Sequence, residues 1–454
     1  MSNFIPSLES FVKGTAATAA GLGTLGVGLL YYGQNYLIYP SAFPSGSREH
    51  VSTPSEFGLP YTDLTLTAPD GVKLKAYLLT QKVELDVHGA NGVPWNWDED
   101  GDDQAFAGSR PTVLMFHGNG GNHGHRIPLA RVFFLKMRCN VLMLSYRGYG
   151  LSSGTPSERG LQSDAQTALD HITNHAFLAR SPVILYGQSI GGAVSIDLCA
   201  KNPRVVRALV LENTFTSLPR VIPAAMPWLG PFAFLCHQKW ESYAKVPRIP
   251  PDIPVLLLGG VRDELVPRAH MHELWSLFCA RGKPSTQPRH GFHSLSNSFS
   301  TKHQEKPLPT PPPNTNPDSK PWSLAAGRGA ASADPTSASA PGEPAKDIGA
   351  RAAVELGGTA AEKNVSSAGD DGDEDGDGEG AGKERGRDEE DGGEGLGPPV
   401  SLREGKNQFL EFGAGTHNDT CVQPGYWHAV AEFVAALQER PAESVERARE
   451  RQLL

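Results

Sequence analysis

Cysteine is scarce in this sequence, and the few cysteines present are not spaced for a metal site or a disulfide framework. The five cysteines lie far apart along 454 residues and include no CxxC pair. An odd and scattered set of this kind disfavours both disulfide-rich folds and structural zinc sites. We therefore expect no metal, and we expect most of the cysteines to be small buried apolar side chains.

Positive charge is scarce where a nucleic-acid-binding protein would need it. The net charge is −9, but residues 370–394 alone hold thirteen acidic and three basic residues, a local net charge of −10. The rest of the chain therefore carries a net charge of about +1. Because no basic stripe is present to neutralise a phosphate backbone, we expect no nucleic-acid partner.

Apolar residues are sparse in one long stretch. The hydrophobic fraction of the whole chain is 39%, and from about residue 283 to about 406 the chain consists mainly of Ser, Pro, Gly, Ala and charged residues. Such a segment cannot bury enough apolar surface to offset its loss of conformational entropy on folding. The composition predicts a disordered acidic insert at 283–406. A polar insert at 84–109, whose acidic run lacks the spacing of a calcium-binding loop, is predicted to be a solvated loop.

Charge is absent altogether from Gly14 to Ser47. Within this stretch the run Thr15–Tyr32 is long enough to cross a bilayer, and tyrosines follow it as an interfacial aromatic belt would. A cleaved signal peptide is the alternative, although the apolar run is longer than usual for one. The sequence thus predicts an N-terminal membrane helix within residues 1–40 and a single-pass membrane protein. The charged residues on the two sides of the run do not indicate its orientation in the membrane.

Residues 41–440 have the pattern of one α/β domain interrupted by the two inserts. Two alternating segments around the turn Pro69-Asp70-Gly71 predict an antiparallel hairpin. Short apolar runs typical of buried parallel strands follow at Thr112–Phe116, Asn140–Leu144, Pro182–Tyr186, Ala208–Leu211 and Pro254–Leu258. Helical patterns lie between them, and Gln408–Phe412 and Gly425–Arg440 predict a last strand and a last helix. The alternation predicts a doubly wound, mostly parallel sheet.

The pentapeptide Gly187-Gln188-Ser189-Ile190-Gly191 is a candidate nucleophile site. By itself the Gly-x-Ser-x-Gly pattern is weak in a chain that has so many glycines. Here it follows an apolar run, Val183–Tyr186, and precedes a helical stretch of small residues. Strand, sharp turn and helix in that order lift a serine hydroxyl to the top of an α/β sheet. The pattern therefore predicts Ser189 as a nucleophile.

Where a serine nucleophile lies between a strand and a helix in this way, an acid follows it along the chain and a histidine follows the acid. Asp263 comes directly after the predicted strand Pro254–Leu258, at the end of the strand where catalytic groups gather. Glu264 beside it and Glu212 after the preceding strand are alternatives. Asp263 could also serve only as the cap of a helix that starts near Pro267.

His417 is the candidate base, because it lies in a glycine-rich loop between the last predicted strand and the last predicted helix. His290 and His293 also follow Asp263 along the chain. No strand leads into them, and they border the predicted disordered insert. The prediction is therefore a triad of Ser189, His417 and Asp263.

Backbone N–H groups must meet the negative charge that develops on the substrate oxygen. One is expected from Ile190, at the start of the helix after the nucleophile. The other is expected from Asn119, in the glycine-rich loop His117–Asn122 that follows the strand at 112–116. His117 is then an orienting residue of this loop and not a base. The apolar segment between Thr214 and Ile249 is either a lid suited to acyl chains or a short helix packed on the core.

The stretches that carry a family resemblance are Tyr36–Pro40, His117–Asn122, Leu144–Gly150, Tyr186–Gly192, Glu212–Phe215, Arg262–Val266 and Gly415–Thr420. With them the chain resembles one branch of the α/β-hydrolase superfamily, that of the alpha/beta hydrolase domain-containing protein 13 and its fungal bud-emergence relatives. The resemblance implies the same triad, one N-terminal membrane segment often found in endomembranes, and ester or thioester hydrolysis, including depalmitoylation. The two inserts depart from the pattern, and the long one separates the acid from the histidine.

The function predicted from these observations is that of a membrane-anchored serine hydrolase that cleaves acyl esters or thioesters, of protein or lipid origin, without a metal or organic cofactor. It would reside in an endomembrane or the plasma membrane. The alternative is a non-catalytic scaffold, tethered to a membrane, whose acidic insert recruits protein partners.

Overall fold

The computed structural model of the chain describes residues 8–85, 101–283 and 399–438. Most of the predicted acidic insert lies outside these ranges, together with His290 and His293. The chain divides into one compact unit of residues 1–282 and 342–454 and a second of residues 283–341. The helices and strands given below belong to the first unit.

The centre of the first unit is a mixed sheet, which has nine strands within the described ranges and the order β1-β2-β4-β3-β5-β6-β7-β9-β8. In chain order, β1 to β9 are Thr62–Thr67, Lys73–Leu79, Thr112–Phe116, Asn140–Leu144, Val183–Gln188, Val206–Glu212, Val255–Gly260, Val400–Glu404 and Asn407–Phe412. The strands from β4 to β9 in the sheet order pair in parallel, while β1, β2 and β8 pair antiparallel at the two edges. The predicted mostly parallel α/β sheet with its antiparallel hairpin is confirmed.

Helices cover both faces of this sheet. In chain order, α1 to α9 are Leu8–Ile38, Gly101–Ser109, Ile127–Leu135, Glu158–Thr173, Ile190–Lys201, Leu218–Ala225, Ser242–Lys245, Arg268–Ala280 and Tyr426–Gln438. On β5, Leu185 points into an apolar cluster that includes residues of α4, α5 and α8. Its neighbours Ile184 and Tyr186 point into a second cluster with α3 and α9. The central strands are buried on both sides, which explains why their sequences are continuous apolar runs.

Two short elements differ from the sequence expectations. Helix α2 lies in the segment predicted as a solvated loop, where Asp102 and Asp103 in its first turn favour a helix start. The Asp103 carboxylate also accepts a hydrogen bond from the backbone N–H of Val83 (2.9 Å). Strand β8 lies inside the segment predicted as disordered, so that boundary at 406 was wrong. Its residues are all exposed, and the edge strand is held by pairing with β9 rather than by apolar burial.

Cysteine placement follows the sequence expectation. Four of the five cysteines are buried, and the fifth, Cys279, is partly exposed. Burial raises the pKa of the thiols of Cys139 and Cys199 to about 12, because the thiolate form is poorly solvated inside the core. These side chains behave as small apolar groups.

A 31-residue helix, α1, occupies the region where the sequence predicts a membrane helix. The C-terminal part of α1 is attached to the rest of the unit: the Gln34 side chain donates to the carbonyl of Leu235 (3.3 Å) and accepts from the backbone N–H of His237 (2.9 Å). No helix within residues 8–85, 101–283 and 399–438 combines the length and the apolar character required to span a bilayer.

Candidate active site

Ser189 occupies a strained turn between β5 and α5, within Gly187–Gly191, and we call this turn the elbow. Its backbone angles are φ 54° and ψ −118°, a region that side-chain-bearing residues rarely adopt and that costs on the order of 1–3 kcal/mol. Three hydrogen bonds hold the turn. The Ser189 N–H donates to the carbonyl of Glu212 (2.9 Å), and the Ser189 carbonyl accepts from the N–H of Gly192 (3.0 Å) and from Thr214 Oγ1 (2.7 Å). Such strain at one residue is typical of a functional position.

The glycines on both sides of Ser189 are required by close backbone approach. A Cβ added at Gly187 would lie 2.2 Å from the carbonyl oxygen of Gly191. A Cβ added at Gly191 would lie 2.1 Å from the carbonyl oxygen of Phe116, at the end of β3. Both neighbours are backbone atoms that cannot move aside, so the tight turn and its approach to β3 depend on glycine at these positions.

Substitution of Gly187 by alanine is expected to destabilise the fold by about 3 kcal/mol, the upper end of the usual cost of overpacking. The matched control is Gly230→Ala, because a Cβ at Gly230 meets its nearest atom, Pro223 Cα, at an ordinary 3.5 Å. Urea unfolding of both variants measures the difference. Equal free energies of unfolding for the two variants would show that the backbone around Gly187 is not crowded.

His417 and Asp263 form a close pair at the carboxyl ends of neighbouring parallel strands. His417 Nδ1 lies 3.0 and 2.9 Å from the two Asp263 carboxylate oxygens. A carboxylate accepts hydrogen bonds, so Nδ1 is the donor to Asp263, and in the neutral imidazole Nε2 then keeps its lone pair. Asp263 is itself fixed, since its Oδ1 accepts from the backbone N–H groups of Leu265 (2.9 Å) and Val266 (2.8 Å). The pair is nearly buried, with side-chain exposures of 7% for His417 and 3% for Asp263.

The two alternative acids are engaged elsewhere. Glu264 accepts a hydrogen bond from the backbone N–H of His417 (3.2 Å). Glu212 Oε2 accepts from the hydroxyls of Tyr186 and Tyr426, each at 2.6 Å. Burial raises the pKa of the Glu212 carboxyl, and the two tyrosine hydroxyls act against this shift. The imidazole of His417 is therefore oriented by Asp263, while Glu264 fixes the backbone of the same loop.

The loop that carries His417 is tied to Gln188, the residue beside Ser189. The carbonyl of His417 accepts from the Gln188 side chain (3.3 Å) and from the Asn213 side chain (3.1 Å). Within the described ranges, the hydrogen bonds of His417 do not include one to Ser189 Oγ. Hydrogen bonds of this kind are often long before a substrate is bound. The structure thus brings Asp263 to His417, and it places the His417 loop against the neighbour of Ser189.

The two expected oxyanion donors lie at the same edge of the sheet. Ile190 is the first residue of α5, so its N–H lies in the turn that has no acceptor inside the helix. The backbone N–H of Asn119 donates no hydrogen bond to any group in the described part of the chain. The Asn119 side chain bridges two elements, donating to the carbonyl of Ile38 and accepting from the hydroxyl of Tyr149 (2.7 Å). This bridge fixes the loop in place.

His117, the first residue of this loop, and His123, which directly follows it, are buried. The His117 ring donates from Nδ1 to the carbonyl of Gly118 (2.7 Å). Burial lowers the pKa of both imidazoles to about 3, because the cationic form would be poorly solvated there. A histidine that stays neutral in this way can orient the loop but is not suited to act as a general base near neutral pH.

These two histidines predict that the fold loses stability in acid. Their folded-state pKa of about 3 lies below the ordinary value of 6.5, so the unfolded chain binds protons first as the pH falls. Their contribution to the free energy of unfolding is fully present above pH 6.5. It decreases as the pH falls towards 3, by up to about 1.4 kcal/mol per pH unit for each histidine. We expect His123→Phe to reduce this acid slope, and His428→Gln, which alters an exposed histidine, to leave it unchanged. Chemical unfolding at neutral and mildly acidic pH measures both slopes, and identical slopes for wild type and His123→Phe would contradict the assignment.

Comparison with known proteins places this geometry in a family. A family model described as serine aminopeptidase, S33, matches residues 107–248. Protein bem46 of Schizosaccharomyces pombe is 43% identical over 284 residues, which cover 62% of this chain and 84% of that protein. The alpha/beta hydrolase domain-containing protein WAV2 of Arabidopsis thaliana is 35% identical over 278 residues, 59% of this chain and 82% of WAV2. The chain belongs to the Bem46 family of α/β-hydrolases.

Membership of the Bem46 family supports hydrolase activity and confirms the resemblance to the bud-emergence relatives. A further relative, from Saccharomyces cerevisiae, is described as an uncharacterized membrane protein and is 37% identical over 254 residues, 56% of this chain and 80% of that protein. Among solved structures, an alpha-beta hydrolase from Vibrio vulnificus is similar with a TM-score of 0.42 and 21% identity, covering 54% of this chain and 81% of that chain.

The segment that follows α1 in this Bem46-family chain contacts the glycine-rich loop His117–Asn122. We call it the oxyanion loop, because the N–H of Asn119 is an expected oxyanion donor. Sequence patterns did not predict this contact. The N–H of Gly121 donates to the carbonyl of Phe43 (2.7 Å). The Asn122 side chain donates to the carbonyls of Ser47 (3.0 Å) and His50 (3.1 Å). The motif Tyr36–Pro40 spans the end of α1 and the start of this segment. It was the one feature of the sequence from which a contact with the site could have been predicted.

The segment between Thr214 and Ile249 combines features of both sequence interpretations. Val221 in α6 and Leu229 in the 3-10 helix Pro227–Leu235 are buried. The exposed side chains of the same segment include Trp228, Phe232 and Phe234. The segment is therefore packed on the unit on one side and presents aromatic side chains to the outside on the other.

Proposed function

We propose that this α/β-hydrolase is a serine esterase or thioesterase that works through Ser189, His417 and Asp263. The observation that carries the proposal is the buried pair of His417 and Asp263, 2.9 Å apart. The loop of His417 is hydrogen-bonded to Gln188, the neighbour of the strained Ser189. A serine hydroxyl is a weak nucleophile until a base with a fixed tautomer accepts its proton. The Asp263 contact supports that tautomer, because a neutral imidazole that donates from Nδ1 keeps its lone pair on Nε2.

In the proposed mechanism, Ser189 Oγ attacks the acyl carbonyl carbon while His417 Nε2 takes the hydroxyl proton. The negative oxygen of the tetrahedral intermediate accepts hydrogen bonds from the N–H groups of Ile190 and Asn119. Collapse of the intermediate breaks the ester or thioester bond, and the imidazolium returns the proton to the leaving alcohol or thiol. Water then attacks the acyl-enzyme, and His417 again serves first as base and then as acid.

We also propose that the chain is attached to a membrane through α1. The support is the absence of charge between Gly14 and Ser47, the exposure of apolar side chains along α1, and the description of the Saccharomyces relative as a membrane protein. Extraction of cell membranes with alkaline carbonate tests the attachment. Retention in the pellet is expected, and release into the supernatant would contradict it.

The reaction is tested with acyl esters and thioesters of graded chain length. The experiment uses the full chain in detergent, because removal of residues up to Ile38 would delete the acceptor of the Asn119 side chain. We expect Ser189-dependent hydrolysis of at least one substrate class, with Ser189→Ala as the inactive control. A folded protein that hydrolyses none of the panel, or that hydrolyses it equally well without Ser189, would overturn the proposal.

A further inference from the structure

Exposed apolar side chains are concentrated on two segments of the chain. Twenty large apolar side chains in the described ranges are exposed, and fourteen of them lie on residues 8–43 or on the 3-10 helix Pro227–Leu235. On α1 five of them recur at helical spacing, at Leu22, Leu25, Leu29, Tyr32 and Tyr36. Apolar patches of this extent mark a binding surface rather than ordinary surface composition.

These two segments are joined to each other. The Gln34 side chain bonds to Leu235 and His237, and the rings of Tyr31 and His237 lie 5.1 Å apart. Trp240 Nε1 donates to the hydroxyl of Tyr39 (3.0 Å). The C-terminal part of α1 therefore adjoins residues 227–235, and we call the exposed apolar side chains of the two segments together the apolar face.

The apolar face adjoins the candidate active site from two directions. At the end of α1, the carbonyl of Ile38 accepts from the Asn119 side chain, in the oxyanion loop. The segment that leads to residues 227–235 begins at Thr214, whose hydroxyl donates to the carbonyl of Ser189 (2.7 Å). The end of α1 and the start of the segment that carries residues 227–235 therefore both contact the candidate active site.

The chemistry of the face fits lipid better than another protein. No charged residue occurs between 14 and 47 or between 221 and 236, whereas protein interfaces carry a polar, partly charged rim. Trp228, Tyr32 and Tyr36 have the amphipathic rings that favour the boundary between headgroups and acyl chains. Helix α1, about 46 Å long at the usual rise per residue, can be covered along its length by a bilayer without any partner of matching shape.

We propose that the apolar face docks onto a lipid bilayer, with Trp228, Phe232 and Phe234 inserted at its surface, and that the site takes its acyl substrate directly from that bilayer. The second part rests on the proposed hydrolase function. The first part concerns docking alone and is measured separately.

Docking is tested by fluorescence of the full chain in vesicles of phosphatidylcholine whose acyl chains carry bromine, a contact quencher of tryptophan. We expect bromine to quench part of the emission of the wild type, and Trp228→Phe to lose most of that quenched part. Unquenched Trp228 in vesicles would overturn the proposal. So would shielding of Trp228 in a lipid-free dimer, since the face would then join two copies of the chain.

Substrate delivery is tested with the combined variant Trp228→Ser, Phe232→Ser and Phe234→Ser. Its matched control is Val400→Ser with Leu402→Ser, which removes exposed apolar side chains from β8 at the far edge of the sheet. We expect KM for a long-chain ester embedded in vesicles to rise at least about tenfold in the combined variant alone, as loss of two or three inserted side chains implies. Turnover of a short, water-soluble ester should not change.

An unchanged KM for the embedded ester would overturn the delivery step. Absence of hydrolysis of every ester by the wild type would instead refute the proposed function, and the bromine quenching at Trp228 would still decide the docking. The two failures are therefore distinguishable.

Discussion

Replacement of Ser189 by glycine is expected to abolish hydrolysis and, at the same time, to stabilise the fold. Serine at φ 54° and ψ −118° is strained, and glycine adopts such angles without a Cβ clash. The stored strain is on the order of 1–3 kcal/mol, part of which glycine recovers despite its greater freedom in the unfolded chain. Loss of the nucleophile should lower kcat by about a millionfold, as in other serine hydrolases with this kind of triad.

The control for Ser189→Gly is Ser189→Ala, which removes the hydroxyl but keeps a Cβ and therefore the strain. Both variants should be inactive, and the glycine variant should unfold at a higher urea concentration than the alanine variant. Equal stability of the two variants would contradict the strain at the elbow. Substantial activity in either would contradict the role of Ser189.

Substitution of Asp263 by asparagine is expected to lower kcat by about ten-thousandfold, the size of effect seen when a triad acid is replaced by its amide. An asparagine in this place can present its NH₂ group to Nδ1, which favours the tautomer that carries its proton on Nε2, where the proton from Ser189 must be accepted. The shape of the side chain is conserved, so the stability of the fold should change little.

Two matched substitutions separate the role of Asp263 from that of its acidic neighbours. Glu264→Gln keeps an oxygen that can accept from the backbone N–H of His417, and Glu212→Gln keeps an acceptor for a tyrosine hydroxyl. We expect each to retain activity within about tenfold of the wild type, since neither side chain contacts the imidazole. A loss in Glu264→Gln or Glu212→Gln as large as in Asp263→Asn would reassign the acid.

The elbow could be predicted from sequence because its signals are local. Val183–Tyr186, two close-packed glycines and the small residues after Ser189 all lie within ten residues of one another, and each has a direct steric reason. Asp263 and His417 are 154 residues apart, yet their positions after β7 and β9 sufficed, because parallel strands bring their carboxyl ends to one edge.

Other features depend on contacts that no local pattern encodes. The binding of residues 38–50 to the oxyanion loop consists largely of hydrogen bonds to backbone carbonyls, which any residue type provides. Strand β8 has no buried side chain. Its apolar–polar alternation covers only Val400 to Arg403, too short a run to mark a strand at the end of a segment whose composition predicts disorder. The sequence alone left Glu264 as an alternative to Asp263. The two side chains differ in their contacts, since Glu264 accepts from the backbone N–H of His417 and Asp263 contacts its imidazole.

The arrangement of α1 has a practical consequence for studies of the enzyme. Ile38 contacts Asn119, and Phe43 contacts Gly121, so the N-terminal segment is part of the site's framework as well as a proposed attachment to a membrane. A chain shortened to begin after Ile38 should therefore show a weakened oxyanion loop, seen as a lower kcat with short esters. Equal kcat for the shortened and full chains would show that the loop is held without this contact.

Labelling with a fluorophosphonate probe tests the central claim most directly, because the probe bonds covalently to a serine only when that serine is activated by its base and oxyanion donors. The full chain is labelled in detergent, digested, and the modified peptide is identified by mass spectrometry. We predict one adduct on Ser189, none in Ser189→Ala, and strongly slowed labelling in His417→Ala. A folded wild-type chain that stays unlabelled, or that is labelled at another serine, would contradict the assignment of Ser189 as the nucleophile.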